Sequence, residues 1–218
     1  IGCCLRCVFC WVSWGRDFPE RYGKFYSSEE AFSRLSEAAN KYGVNKLRIS
    51  GAEPTLGKEH LLGLLEYVEQ SKFPLFILET NGILFGIDKD YVRKISKFTK
   101  PHVRVSLKAG TPEAFTRKTG AKQEAFEIPF QAIRNLLDYS VSFHVAAMSA
   151  DPRITTPEER ESLIRKLAEI EPALLLNLEE EVVDGYSTTL ARLKHAGWKL
   201  DWPLKRIYKP VKESMRRS

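Results

Sequence analysis

Short apolar runs recur along these 218 residues, each followed by a longer stretch with helical periodicity, and this alternation restricts the fold more than any other feature. The runs are KLRIS (46–50), LFILET (75–80), HVRVSLK (102–108), SFHVAAM (142–148) and ALLLNLE (173–179). Between them lie SSEEAFSRLSEAANKYG, KEHLLGLLEYVEQS, DKDYVRKISKF, FQAIRNLLDYS, TPEERESLIRKLAEI and STTLARLKHAG. The first of these segments opens on Ser27 and closes on Gly43, the residue types that cap a helix at its two ends. Strand–helix alternation of this kind predicts parallel strands joined by helical crossovers. With a first strand expected to enter at Ile1, the pattern is a partial (β/α)6 TIM-like barrel of the α/β class. Residues 1–198 are expected to form this core, and 199–218 a basic C-terminal tail.

Composition narrows the setting. The chain is 43% hydrophobic and 28% charged, an ordinary globular balance that excludes wholesale disorder. Its longest apolar runs, as in PLFIL and ALLLNL, fall far short of a membrane span, and no secretory signal is visible. A cytoplasmic protein without a membrane partner is expected. The sequence begins with Ile1 rather than Met and reaches its cysteines at once, so a preceding segment is expected to be missing. The net charge of +6 is concentrated in the last twenty residues, with seven Lys and Arg against two Asp and Glu. Such a tail suits RNA or another polyanion, and equally a solubilising terminus.

Strand alternation separates two faces. In HVRVSLK, Val103, Val105 and Leu107 share one side, and Arg104, Ser106 and Lys108 the other. In VSFHVAAM, Val141, Phe143 and Val145 oppose Ser142, His144 and Met148. Asn177 and Glu179 fall together in ALLLNLE. Helices cover the apolar side, so the polar side faces the barrel interior. A barrel core is normally apolar. Inward polar groups therefore predict a ligand site at the barrel mouth or an internal salt-bridge network.

All four cysteines stand within eight residues, in GCCLRCVFCW. Disulfides between such close neighbours are strained. Structural zinc draws on two separated ligand pairs, whereas no second CxxC or HxxxH exists here and the four histidines are scattered. Closely spaced thiolates suit an iron–sulfur cluster best. Cys3, Cys7 and Cys10 have the spacing CxxxCxxC; Cys4, Cys7 and Cys10 give CxxC twice, and spacing alone leaves both sets open. Three ligands on a four-iron cluster leave one iron free for a non-protein group.

With Phe9 before the last cysteine, CxxxCxFC resembles the cluster motif of the radical S-adenosylmethionine (radical SAM) superfamily. Further segments resemble that family in chain order. Gly51-Ala52-Glu53-Pro54 after KLRIS is similar to its GGEP motif, with Ala52 in place of the second glycine. Thr80-Asn81-Gly82 after LFILET is similar to its TNG segment, although Asn-Gly is also an ordinary turn dipeptide. Lys108 follows Ser106 where glycyl-radical-activating enzymes often carry Asp-x-Lys, so the Asp is replaced here. Ala147-Met148-Ser149 falls where the superfamily packs adenine. The resemblance covers roughly residues 1–180.

This resemblance implies a [4Fe-4S] cluster held by Cys3, Cys7 and Cys10, with S-adenosyl-L-methionine (SAM) on the open iron. It implies that Glu53 and Lys108 orient the methionyl part, that Asn81 and Ser106 serve the amino group or ribose, and that Phe9 and Met148 flank adenine. Gly51 lets the backbone pass close to the ligand. A flavodoxin- or ferredoxin-like electron donor is implied, and reduction of SAM to a 5′-deoxyadenosyl radical that abstracts hydrogen. Two branches suggest a macromolecular substrate. The compact plan resembles glycyl-radical-activating enzymes, which act on a protein glycine. The CVFCW stretch is similar to enzymes of tricyclic-guanosine (wybutosine) formation in tRNA, whose second cluster has its cysteines upstream. The segment WVSWGRDFPERYGKFY mixes aromatic and basic residues, which suits either base stacking or a packed lid. A non-catalytic iron–sulfur carrier or scaffold is the remaining alternative, which Cys4 as a fourth ligand would favour.

Overall fold

A computed structural model describes residues 1–215. Five strands form one sheet in the order of the chain: β1 (Lys46–Ile49), β2 (Leu75–Thr80), β3 (Pro101–Leu107), β4 (Phe143–Ala147) and β5 (Glu179–Glu180). All neighbouring pairs are parallel. The helices are α1 (Pro19–Tyr22), α2 (Ser28–Tyr42), α3 (Lys58–Gln70), α4 (Ile83–Ile87), α5 (Lys89–Ile95), α6 (Pro112–Thr119), α7 (Ile128–Asp138), α8 (Pro157–Ile170), α9 (Ser187–His195) and α10 (Val211–Met215). A parallel sheet in sequential order, with helical crossovers of one hand, winds continuously in one direction and curls into part of a barrel.

Local chemistry places the elements as expected where caps are strong. Ser27 Oγ accepts from Glu30 N (3.1 Å) and Glu30 Oε2 accepts from Ser27 N (2.7 Å), a reciprocal cap that starts α2. Gly43, at φ +65°, ends that helix in the left-handed region. The two-face prediction for β3 also holds: Val103, Val105 and Leu107 are buried beneath the helices, while Arg104, Ser106 and Lys108 line the interior cavity.

Two expectations change. The ALLLNLE run is not a strand along its length: Pro172–Leu175 forms a 3₁₀ turn, and only Glu179–Glu180 pairs with β4. Glu171 caps that turn by accepting from Ala173 N (3.2 Å), and Pro172 occupies its first position, so local turn chemistry overrides the apolar pattern. Leu175 and Leu178 are buried, although only Glu179 of the run enters the sheet. Among the described residues no strand begins at Ile1, so the barrel has five strands rather than six. The first residues bond to the end of α6 instead, Arg6 N to Thr119 O (2.8 Å) and Val8 N to Lys118 O (2.9 Å).

The basic C-terminal segment lies against the core. Tyr208 N donates to Ala150 O (2.9 Å), Arg160 Nη2 to Lys209 O (2.7 Å), and the Arg153 guanidinium stacks 4.3 Å from the centre of the Trp202 ring. Lys205 and Arg206 remain exposed; residues 216–218, the end of the basic tail, lie outside the described residues.

Candidate active site

Each strand delivers its following loop to one cavity of about 310 Å³, a volume suited to a small organic ligand. Gly51 and Ala52 come from the loop after β1, Thr80 and Asn81 from the end of β2, Ser106 and Lys108 from the end of β3, Met148 from beyond β4, and Glu181 and Asp184 from beyond β5. The cysteine loop forms the remaining wall with Cys3, Phe9 and Cys10, and with the buried Cys7. Ten of the eleven expected cofactor and cluster residues therefore meet in one place; Glu53 alone does not line the cavity.

Glu53, expected at the methionyl group, does not itself line the cavity. Its carboxylate is 4% exposed and sits behind the wall. Oε1 accepts from Thr55 N (3.2 Å), Thr55 Oγ1 (2.6 Å) and Thr80 Oγ1 (2.7 Å), and Oε2 accepts from Asn81 N (2.7 Å). Burial pushes the carboxyl up, opposed by these hydrogen bonds. Glu53 N donates to Gly2 O (3.0 Å), so the residue ties the GAEP loop both to the Asn81 turn and to the chain entering the cysteines. Gly51 and Ala52 have φ of +77° and +98°, which explains why glycines suit this segment and makes Ala52 a strained residue.

All four cysteines are free thiols. Cys4 is exposed and does not line the cavity, which favours Cys3, Cys7 and Cys10 as the inward set. Asn81 Nδ2 lies 3.6 Å from Cys3 Sγ and 3.4 Å from Cys4 Sγ, and Asn81 Oδ1 accepts from Ile83 N (3.0 Å). Its side chain thus braces the thiols and the start of α4. Burial pushes the Cys7 thiol up to about 12, so loading a metal there must release its proton. Among the described residues no three His, Cys, Asp or Glu side chains gather on one point as a single ion requires. A four-iron cluster instead takes its thiolates at separate corners. Three inward thiols beside a cavity fit that donor set.

The inner barrel is held by charge. Arg104 donates to Glu179 (2.7 and 2.9 Å) and Glu181 (2.7 Å), and lies 3.8 Å from Glu79, which also pairs with Arg48. The Arg104 hydrogen bonds hold the Glu179 carboxyl down at about 2. His102 Nε2 meets His144 Nδ1 at 2.8 Å, and His144 Nε2 meets Glu179 Oε2 at 3.1 Å. The ligand site and the internal salt-bridge network are therefore both present, the network forming the floor. Lys108 Nζ donates to Ser106 Oγ (2.5 Å) at the cavity wall.

A profile of the radical SAM superfamily matches residues 1–167. The chain belongs to the radical SAM superfamily. Radical SAM proteins use a [4Fe-4S] cluster and SAM. A protein of Saccharolobus solfataricus named "Probable GTP 3′,8-cyclase" is 26% identical over 137 residues, which are 63% of this chain and 41% of that protein. One of the same name from Methanococcus maripaludis is 32% identical over 117 residues, 54% of this chain and 37% of its own. The chain thus matches about four-tenths of the length of these relatives. Among solved structures, anSMEcpe with bound AdoMet and Kp18Cys peptide has a TM-score of 0.62 at 22% identity, covering 84% of this chain and 49% of that one. TYW1 with a lysine-pyruvate adduct gives 0.55 at 17% identity, covering 89% and 69%. These likenesses establish the radical SAM fold, a partial barrel of parallel strands.

Sequence reasoning missed Arg16, Thr189 and Arg192 as parts of the site. Arg16 and Thr189 line the cavity, and Thr189 Oγ1 has no protein partner among the described residues. Arg16 stood within an aromatic and basic stretch that gave no reason to single it out, and α9 lies nearly 180 residues from the cysteines. The aromatic stretch itself divides: Val12, Gly15 and Arg16 are buried, whereas Trp11, Tyr22 and Phe25 are exposed, and Trp11 meets Tyr186 at the cavity with ring centres 6.1 Å apart.

Proposed function

We propose that this chain is the SAM-cleaving core of an enzyme that takes a hydrogen atom from a carbon of a protein or peptide substrate. The observation that carries this reading is the set of carboxylates that line the cavity. Glu79, Glu181 and Asp184 face it; of its three cations, Arg104 is shared among glutamates, Arg16 is paired with Asp17 and Lys108 is assigned to SAM. These carboxylates would repel a polyphosphate, whereas they would accept a peptide N–H or a cationic side chain. Trp11 and Tyr186, both more than half exposed, flank a mouth through which an extended segment can enter. A glycine in a protein backbone is one substrate of this type.

In this reading Cys3, Cys7 and Cys10 would hold the cluster. When bound, the cluster supplies the electron that opens the sulfonium of SAM and yields the hydrogen-abstracting carbon radical. Lys108 binds the methionyl carboxylate, Ser106 holds the Lys108 ammonium in place, and Phe9 and Met148 close apolar walls on adenine. Gly51 and Ala52 bring their backbone close to the methionyl group, and Glu53 fixes that backbone from behind. Asn81 braces the loop at its thiols. The electron comes from a flavodoxin- or ferredoxin-like donor.

A nucleotide or tRNA substrate is the second reading. The GTP 3′,8-cyclase name of the relatives favours it, as do the exposed Lys205 and Arg206. The two separate by hydrogen transfer. The protein, reconstituted anaerobically and reduced with dithionite in the presence of SAM, should form more 5′-deoxyadenosine when a deuterated cellular protein fraction is added, with deuterium entering the product. Stimulation by GTP or tRNA, and none by the protein fraction, would overturn the peptide reading.

A further inference from the structure

Helix α9 lies outside the part of the chain that the superfamily profile matches, yet it grips the cysteine loop. Thr188 Oγ1 donates to Trp11 O (2.7 Å). Arg192 donates through Nη1 to Cys10 O (2.7 Å) and Val12 O, and through Nη2 to Ser13 O (3.2 Å) and Asp17 Oδ2 (2.8 Å). The other oxygen of Asp17 accepts from Arg16 Nε (3.0 Å) and Nη2 (2.6 Å), and Arg16 Nη1 donates to Cys7 O (2.8 Å). Both guanidiniums are 6% exposed.

Two buried cations thus flank one carboxylate and hold the carbonyls of two of the three inward cysteines. Arg6, half exposed, approaches the same carboxylate at 3.7 Å. Surface pairs of this kind are screened by water, whereas Arg16 and Arg192 act through a low-dielectric interior. Their charge exceeds that of Asp17 by one unit. The reduction potential of an iron–sulfur cluster depends on nearby charge, on hydrogen bonding at its thiolates and on solvent access.

We propose that Arg16, Asp17 and Arg192 form a clamp that fixes the cysteine loop and raises the reduction potential of its cluster, with α9 supplying half of the clamp. The inference rests on Cys3, Cys7 and Cys10 holding a four-iron cluster. The three clamp residues are positioning residues: each acts on the cluster through the loop or through its field. The sign of each contribution follows from charge. Removing a cation makes addition of an electron less favourable, and removing the carboxylate makes it more favourable.

An electron paramagnetic resonance redox titration of the reconstituted protein, without SAM, tests this directly. Arg16→Gln should lower the reduced-to-oxidised ratio at a given potential about tenfold, equivalent to about 59 mV for a one-electron couple. Asp17→Asn should shift the midpoint in the opposite direction, and Arg192→Lys should shift it less than Arg192→Gln. A loop merely loosened by mutation would move Arg16→Gln and Asp17→Asn the same way. Arg16→Gln leaves every α9 hydrogen bond intact, so it decides the matter even if Arg192→Gln fails to retain iron. Normal cluster loading with unshifted midpoints in Arg16→Gln and Asp17→Asn would overturn the clamp alone. Failure of the wild-type protein to take up any cluster would overturn the site reading and the clamp together.

Discussion

Replacing Lys118 by Met should destabilise the fold by about 3–5 kcal/mol, the usual consequence of removing one partner from a buried ion pair. Lys118 is wholly buried, and its ammonium donates to Glu159 Oε1 (2.6 Å) and Thr155 Oγ1 (2.9 Å). Glu159 is 4% exposed; Oε1 also accepts from Gly110 N (3.1 Å), and Oε2 has no partner among the described residues. Without the ammonium, a carboxylate is left in the interior with one backbone donor. Domains of this kind have roughly 5–15 kcal/mol in total, so the loss is a large fraction of it. At roughly 2–4 °C per kcal/mol for a chain of this length, the melting temperature should fall by about 6–20 °C. The effect should reach the site, because the carbonyls of Lys118 and Thr119 accept from Val8 N and Arg6 N in the cysteine loop. Thermal and urea unfolding of the metal-free protein, followed by circular dichroism, measures it. Lys118→Met/Glu159→Gln should recover much of the loss, since Gln remains an acceptor for Gly110 N and carries no charge. A single variant within about 1 kcal/mol of wild type, or a double variant no more stable than the single, would refute the reasoning.

Cys7→Ala should abolish both the iron–sulfur absorbance and the activity, whereas Cys4→Ala should retain both. Retention in the first or loss in the second, read by iron content and visible spectrum, would exchange the assigned thiols. Lys108→Ala should leave the cluster in place and weaken SAM binding by about 10- to 150-fold, the value of a hydrogen bond to a charged group; an unchanged SAM titration would remove Lys108 from the cofactor site. Ala52→Gly should stabilise the protein by about 1 kcal/mol by relieving a positive-φ alanine, and a lower melting temperature would contradict that. Glu179, held low by Arg104, contributes stability that is present above the ordinary carboxylate range and lost as pH falls toward about 2. Glu179→Gln should therefore unfold less steeply between pH 5 and pH 2 than wild type in acid titrations followed by circular dichroism.

The parts of the fold legible in the sequence were those fixed by short-range chemistry. Ser27 and Gly43 bound α2 by themselves, and alternation in HVRVSLK places Arg104, Ser106 and Lys108 inside. ALLLNLE misled because Glu171 and Pro172 set a local turn, while Leu175 and Leu178 bury themselves outside the sheet. The cysteine loop, the GAEP turn and the Asn81 turn are legible through their resemblance to the superfamily's motifs, in that family's order along the chain. What each side chain does there was less legible. Glu53 could face the cavity or the protein, and only the positions of Thr55, Thr80 and Asn81 decide that it faces the protein. Arg192 carries no local signal of its role, since a basic residue on a short helix is ordinarily solvated. Its four acceptors come from residues 10–17, and tertiary contact alone brings them together.

The central claim is that three inward thiols leave one iron of the cluster open to SAM in the cavity beneath them. Electron paramagnetic resonance of the reduced, reconstituted protein with and without SAM tests it most directly. The spectrum should change on adding SAM in the wild-type protein and equally in Cys4→Ala. An identical spectrum with and without SAM, from a fully loaded and reduced cluster, would contradict it.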